Sequence, residues 1–227
     1  MNPRLDPLRQ VRGVWVGVET APVPAVASGH LALDRQLPGH GWPRGSLVEI
    51  LTPVPGIGEV SLLLPALRRL ATEKRVAFVQ PPFLPYAPAL AQSGLPLERI
   101  AWIDAAGDDA QWAAEQSLRS GAVSAVLYWN ASVDPLELRR LQLAAEASQA
   151  LLFLFRPMSA IAESSTAAVR MALTPQNGKL RIDLLKARGG RPGVLQVDPF
   201  RRPTPPRSLG PLVPAIPPVR RAALTSP

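Results

Sequence analysis

Residues 47–64 read LVEILTPVPGIGEVSLLL: an apolar run of strand length, a Pro/Gly turn and a second apolar run. The first run predicts a buried strand over residues 47–51, and the second opens a helix reaching about Lys74. Pro65 falls inside that helical pattern. Proline has no N–H to give a helix interior, so the helix either starts near Leu62 with Pro65 in its first turn or kinks there. The same alternation continues downstream. RVAFVQP (75–81) is an apolar strand of the kind buried on both faces, and a proline-rich loop leads to a helix near residues 87–94. Residues 100–104 are a short strand. Asp108 and Asp109 are placed to cap a helix over 110–119, which Gly121 ends. AVSAVLYW (122–129) is a further strand, and Asp134-Pro135 is an N-cap/N1 pair opening a helix over 136–147. LLFLF (151–155) is the next strand.

Beyond residue 155 the period changes. Residues 169–173 and 180–185 alternate apolar and polar, and Asn177-Gly178 lies between them, a strong hairpin signal. KARGGRPG (186–193) is a basic glycine turn before a last strand over 194–197. Strands alternating with helices and then a hairpin predict an α/β fold: a mostly parallel sheet flanked by helices, with a C-terminal antiparallel hairpin. Residues 1–27 form an N-terminal arm whose apolar patch is Val14-Trp15-Val16, residues 28–198 the folded domain, and residues 199–227 a tail. In that tail nine of 29 residues are proline, a composition that builds no core.

Composition narrows the function classes. The chain has 227 residues, 47% of them hydrophobic, enough for one α/β domain with a real core. It has no cysteine, which excludes disulfides, thiolate catalysis and cysteine–zinc sites, and only two histidines, His30 and His40. No apolar run approaches the ~18 residues of a membrane span, and no signal-peptide core opens the chain. A soluble cytoplasmic protein with no membrane partner is expected. The net charge is +8, but Arg201, Arg202, Arg207, Arg220 and Arg221 lie in the acid-free tail, leaving about +3 for the rest. A solvated basic tail accounts for the pI of 11.1 more simply than a dedicated nucleic-acid site.

The strand, turn and helix at 47–64 have the layout of a phosphate-binding loop, in which loop amides cradle phosphate at a helix N-terminus. The chemistry is missing. Pro53, Gly56 and Gly58 frame the turn, Glu59 stands where the phosphate lysine belongs, and Val60 stands where a hydroxyl should hold Mg²⁺. A carboxylate there repels phosphate.

With the strands placed, five ordered segments resemble the RecA recombinase core, covering roughly residues 28–198. They are LALDRQLPGHGWPRGSLVEI before the loop, AFVQPPFLPYAPALAQSGLPLERI after its helix, SGAVSAVLYWNASVD at the Walker B strand, LLFLFRP, and LRIDLLKARGGRPG at the closing hairpin. By that resemblance, the water-activating carboxylate maps to Pro82 and the adenine-stacking aromatic to Ala89. The Walker B aspartate maps to Trp129 and the γ-phosphate sensor to about Pro157. Every group that phosphoryl transfer requires is absent, so a non-enzyme on an enzyme fold is expected, with no cofactor, no metal and no catalytic residue.

Among such pseudo-enzymes the motifs GWPRGSLVEIL, PGIGE, LLLPAL, PPFLPYAPAL, LRSGAVSAVL, LRRLQLAAE and FLFRP resemble the ImuA family. That resemblance implies a damage-inducible SOS accessory factor of error-prone translesion DNA synthesis. Its implied partners are an ImuB-type pseudo-polymerase, an error-prone replicative-type DNA polymerase and RecA. Direct DNA contact is left open, because the segments matching RecA's DNA-binding loops are short. The tail alternates apolar groups with arginines, so Arg201, Arg202, Arg207, Leu212, Arg220 and Arg221 are candidate partner contacts. The alternative is a cell-division inhibitor of the SulA type, also a small, ATPase-dead RecA relative induced by DNA damage, which acts by binding FtsZ. A third reading, an ATPase using Glu49, Asp104 or Glu115, lacks a phosphate-binding lysine.

Overall fold

Strands that are apolar on both faces need helices on both faces, and the sheet is built that way. A computed structural model describes residues 23–200. The arm patch at 14–16 and the tail residues from Arg201 onward lie outside the described residues. Eight strands form one sheet: β3 (Leu47–Thr52), β4 (Arg75–Val79), β5 (Ile100–Ile103), β6 (Val123–Trp129), β7 (Leu151–Pro157), β8 (Val169–Gln176), β9 (Lys179–Ala187) and β10 (Gly193–Val197). Their order is β10-β9-β8-β3-β7-β6-β4-β5. From β8 across to β5 every neighbouring pair is parallel, while β9 pairs antiparallel with both β8 and β10. A separate two-stranded ribbon joins β1 (Ala25–Val26) to β2 (Trp42–Pro43), with the short helix α1 (Leu31–Asp34) between them. The fold is therefore mixed α/β with a mostly parallel sheet, as the sequence predicts.

Side chains alternate between two cores. On one face, α2 (Glu59–Glu73) sets Leu62, Leu63, Leu67 and Leu70 against Val48, Ile50, Phe78, Leu127 and Phe153, all fully buried. Trp42 packs edge-on to Phe153, with ring centroids 5.4 Å apart at 88°. On the other face, α4 (Gly107–Arg119) and α5 (Pro135–Ser148) bury Ala114, Leu118, Leu138 and Leu141 against Leu47, Ala77, Val126 and Leu152. The short α3 (Ala87–Gln92) adds Leu90 to the α2 face.

Several local expectations hold. The Asp134 carboxylate accepts the Glu137 N–H at 2.8 Å, capping α5 with Pro135 in its first turn. Asn177 and Gly178 take φ of 52° and 71°, the left-handed pair that a tight hairpin of right-twisted strands requires. Others are corrected. Helix α2 starts at Glu59, not near Leu62, and continues through Pro65. A Cβ on Gly29 would lie 2.4 Å from that of Pro65, so the ring is seated against a residue without a side chain. Asp108 and Asp109 sit in the first turn of α4 and do not cap it; the N-cap is Ala106 and makes no side-chain hydrogen bond. Of the tryptophans, Trp42 is fully buried, Trp102 lies on the surface and Trp112 is 63% exposed.

No helix among the described residues is long and apolar enough to cross a membrane.

Candidate functional site

In open α/β sheets ligands collect at the carboxyl ends of the strands, where loops diverge. Here four adjacent parallel strands, β3, β7, β6 and β4, end around two clefts. The first, an apolar cleft of about 260 Å³, lies between the 56–61 turn, the 81–86 loop and Trp129. The second, about 560 Å³, runs over the strand ends and is lined by residues 52–55, 80–82, 129–132 and 155–157. The structure therefore brings together the positions expected from the degenerate motifs. Gly56, Gly58, Glu59, Val60, Pro82 and Ala89 line the first cleft, Pro53 and Pro157 line the second, and Pro82 and Trp129 border both.

At the heart of the turn the anion cradle is present and already filled. Gly56 and Gly58 take φ of 87° and 108°, a left-handed conformation that a side chain would strain. The Gly56 N–H donates to Glu59 Oε1 at 2.8 Å and the Gly58 N–H to Glu59 Oε2 at 3.1 Å. Glu59 is only 4% exposed. Its carboxylate thus folds back from the first position of α2 and takes the amides a phosphate would need, with the helix dipole favouring it there. Sequence reading gives repulsion by Glu59; the structure gives occupancy.

Beside the turn the strand ends carry aromatic rings. Trp129, which the resemblance to RecA put at the Walker B aspartate, stacks on Phe155 (4.4 Å, 11°) and more distantly on Phe78 (6.2 Å, 19°). These three residues sit near the ends of the adjacent strands β7, β6 and β4. The stack is legible only once strand adjacency is known. Past it, the Asn130 amide donates to the Tyr128 hydroxyl at 2.7 Å and more weakly to Glu137 at 3.4 Å. Burial raises the Tyr128 phenol and the Glu137 carboxyl above their ordinary ranges.

The carboxylates available to an unorthodox ATPase are elsewhere or engaged. Glu49 is fully buried and bridges Arg156 Nη1 (3.1 Å) and Arg170 Nε (2.9 Å). Arg156 also reaches Glu163 at 2.6 Å, and Arg170 Nη2 donates to the Ala160 carbonyl at 2.6 Å. The cluster ties the 158–163 segment to the sheet. Glu115 pairs with Arg119 (2.9 Å) and with Arg140, which ties α5 to α4. Asp104 is exposed, and none of the three lines either cleft. Among the described residues no three His, Asp or Glu groups gather in a metal-binding arrangement. The candidate contacts Arg201, Arg202, Arg207, Leu212, Arg220 and Arg221 lie outside the described residues.

Around the first cleft the structure exposes a feature that sequence reading passes over. Phe83 is 63% exposed, Leu84 81%, Tyr86 72% and Phe200 67%, all at one rim. Large apolar side chains are common on surfaces singly, but a contiguous group marks a contact site.

No family model matches the chain. Over 114 residues it is 35% identical to the cell division inhibitor SulA of Photorhabdus laumondii subsp. laumondii, a match covering 49% of this chain and 64% of that protein. Among solved structures, SulA from Pseudomonas aeruginosa matches with 27% identity and a TM-score of 0.42, covering 49% of this chain and 97% of that one. The matched stretch spans less than two thirds of the curated relative. The 35% identity to a cell division inhibitor overturns the expected membership of the ImuA family. It equally overturns the translesion-synthesis function and the partners expected with it, an ImuB-type pseudo-polymerase, an error-prone polymerase and RecA. At the turn, Glu59 and Val60 stand where a phosphate-binding loop carries its lysine and its metal-holding hydroxyl.

Proposed function

We propose that this protein is a damage-induced, cytoplasmic inhibitor of cell division of the SulA type. It acts by stoichiometric protein–protein contact with the tubulin-like division protein FtsZ and not by catalysis. The observation that carries this reading is the 35% identity to a cell division inhibitor over 114 residues. The blocked site supports it: Glu59 in the phosphate cradle and Trp129 in the metal position leave a nucleotide-free scaffold, which suits a protein whose role is a surface. The finer fold assignment, a degenerate RecA-like core over residues 28–198 between an arm (1–27) and a tail (199–227), belongs to the same reading. Its support is the glycine turn after central strand β3 and the clefts at the strand ends. Within this reading the tail arginines remain candidate contacts.

The test is direct. Purified full-length protein is added to FtsZ with GTP, and polymer is followed by sedimentation. Loss of pelletable polymer as the two proteins approach equimolar amounts is expected, as is filamentation of cells on induced expression. FtsZ that polymerises normally with the protein in excess, in cells that divide normally, would exclude the reading. A variant lacking residues 201–227 assigns the tail its share: unchanged potency removes the arginines from the contact.

A further inference from the structure

We propose that the aromatic cleft beside the glycine turn is the receptor for this chain's own proline-rich segment, residues 211–218, PLVPAIPP. The inference concerns a contact within one chain and stands apart from the division-inhibitor reading.

The cleft has the chemistry of a polyproline receptor. Phe78, Phe83, Tyr86, Trp129 and Phe200 present rings to it, and Pro82 adds a rigid apolar ridge. Among the described residues Glu59 is the one charged residue lining it, and its carboxylate is engaged by the Gly56 and Gly58 amides. Such a groove offers no free charge to a charged ligand. It suits an apolar segment whose backbone can stay hydrated. A polyproline II chain meets that condition, because it has no internal hydrogen bonds and repeats every three residues, so prolines spaced i, i+3 align along one edge. Aromatic-lined grooves bind such edges by inserting prolines between rings.

The segment has the matching pattern. Pro211, Pro214 and Pro217 fall three apart in sequence, and Val213, Ile216 and Val219 repeat at the same spacing. No charge interrupts the stretch until Arg220.

The point where the chain leaves the described structure selects this occupant over others. Phe200 is itself part of the cleft wall. A Cβ placed on Gly58 would lie 3.2 Å from Pro199 and 3.3 Å from the Phe200 ring. The tail therefore starts at the receptor's edge. Between Phe200 and Pro211 lie residues 201–210, a tether that extends to roughly 35 Å, ample to double back over the cleft. A short tether holds its segment at an effective concentration on the order of millimolar, which favours the intramolecular contact over an external ligand of similar chemistry.

The chain lacks cysteine, so a single Leu84→Cys substitution at the exposed rim accepts a nitroxide spin label uniquely. In full-length ¹⁵N protein, the amides of Leu212, Val213, Ala215 and Ile216 are expected to lose more than half their intensity relative to the reduced label. The loss should vanish in the Phe83→Ser/Tyr86→Ser variant, whose substitutions are both at exposed positions. Undiminished amides at 212–216 would overturn the proposal. So would broadening that survives the double substitution, which would place the segment elsewhere near the label. A mixture of spin-labelled ¹⁴N protein with unlabelled ¹⁵N protein tests the remaining source. Broadening there that matches the singly labelled sample would make the contact one between two copies and would also overturn it.

Discussion

Glu59→Ala removes the anion that the turn now holds and leaves the Gly56 and Gly58 amides without their acceptor. A hydrogen bond to an ionised acceptor contributes about 1.5–3 kcal/mol, and a carboxylate in a helix's first turn adds about 0.3–1 kcal/mol through the dipole. Two such bonds set the upper bound. The turn itself is open, however: Pro55 and Gly56 are exposed, so water replaces part of what is lost. A net cost of about 2 kcal/mol follows. With a urea slope of about 2 kcal/mol/M, the unfolding midpoint should fall by about 1 M. Glu59→Gln, which keeps one acceptor oxygen, should lose about half as much. The distinctive consequence is anion rescue. If the side chain occupies a phosphate cradle, its removal vacates one, and inorganic phosphate should then stabilise the variant by about 1.4 kcal/mol at ten times its Kd. Phosphate also stabilises proteins non-specifically by exclusion from their surface, so the quantity to compare is the extra midpoint gain of Glu59→Ala over the parent at equal phosphate. Equal midpoints for variant and parent in buffer, or an equal phosphate response, would show that the carboxylate does not plug the cradle.

Trp129→Asp, which puts a carboxylate at the end of β6, should cost about 3 kcal/mol by dissolving the stack on Phe155, while Trp129→Phe should cost about 1 kcal/mol; chemical denaturation measures both. Glu49→Gln leaves two guanidinium groups, one fully and one largely buried, without their shared anion and should destabilise by about 3 kcal/mol or more, again read from denaturation. His30 is held below its ordinary value of 6.5, chiefly by burial, with a backbone hydrogen bond at Leu62 and the charges of Asp34 and Asp198 opposing. The unfolded chain then binds the proton first as pH falls. Stability is complete above about pH 6.5 and declines below it, by no more than about 1.4 kcal/mol per pH unit for one proton. A His30→Gln variant whose melting temperature falls just as steeply between pH 7 and 5 would remove His30 as the cause.

The sequence by itself determined the fold class, because period and punctuation are local. Strands buried on both faces read as continuous apolar runs, the Asp134-Pro135 cap and the Asn177-Gly178 turn act within a few residues, and each stands where it was expected. It also showed that the turn carries Glu59 and Val60 in place of the lysine and hydroxyl of a phosphate-binding loop. Motif likeness placed the chain in the wrong family. The 35% identity over 114 residues pointed instead to a cell division inhibitor. Only the tertiary structure decided what took the place of the missing chemistry. Which way the Glu59 carboxylate turns depends on the left-handed glycines before it, and the aromatic stack exists because β4, β6 and β7 lie side by side despite their separation in sequence. The pairing of Glu49 with Arg156, 107 residues away, and the exposed rings around the first cleft are likewise products of strand order. Pattern along a chain fixes which residues turn inward, whereas the neighbours they meet there are set by the order in which the sheet assembles.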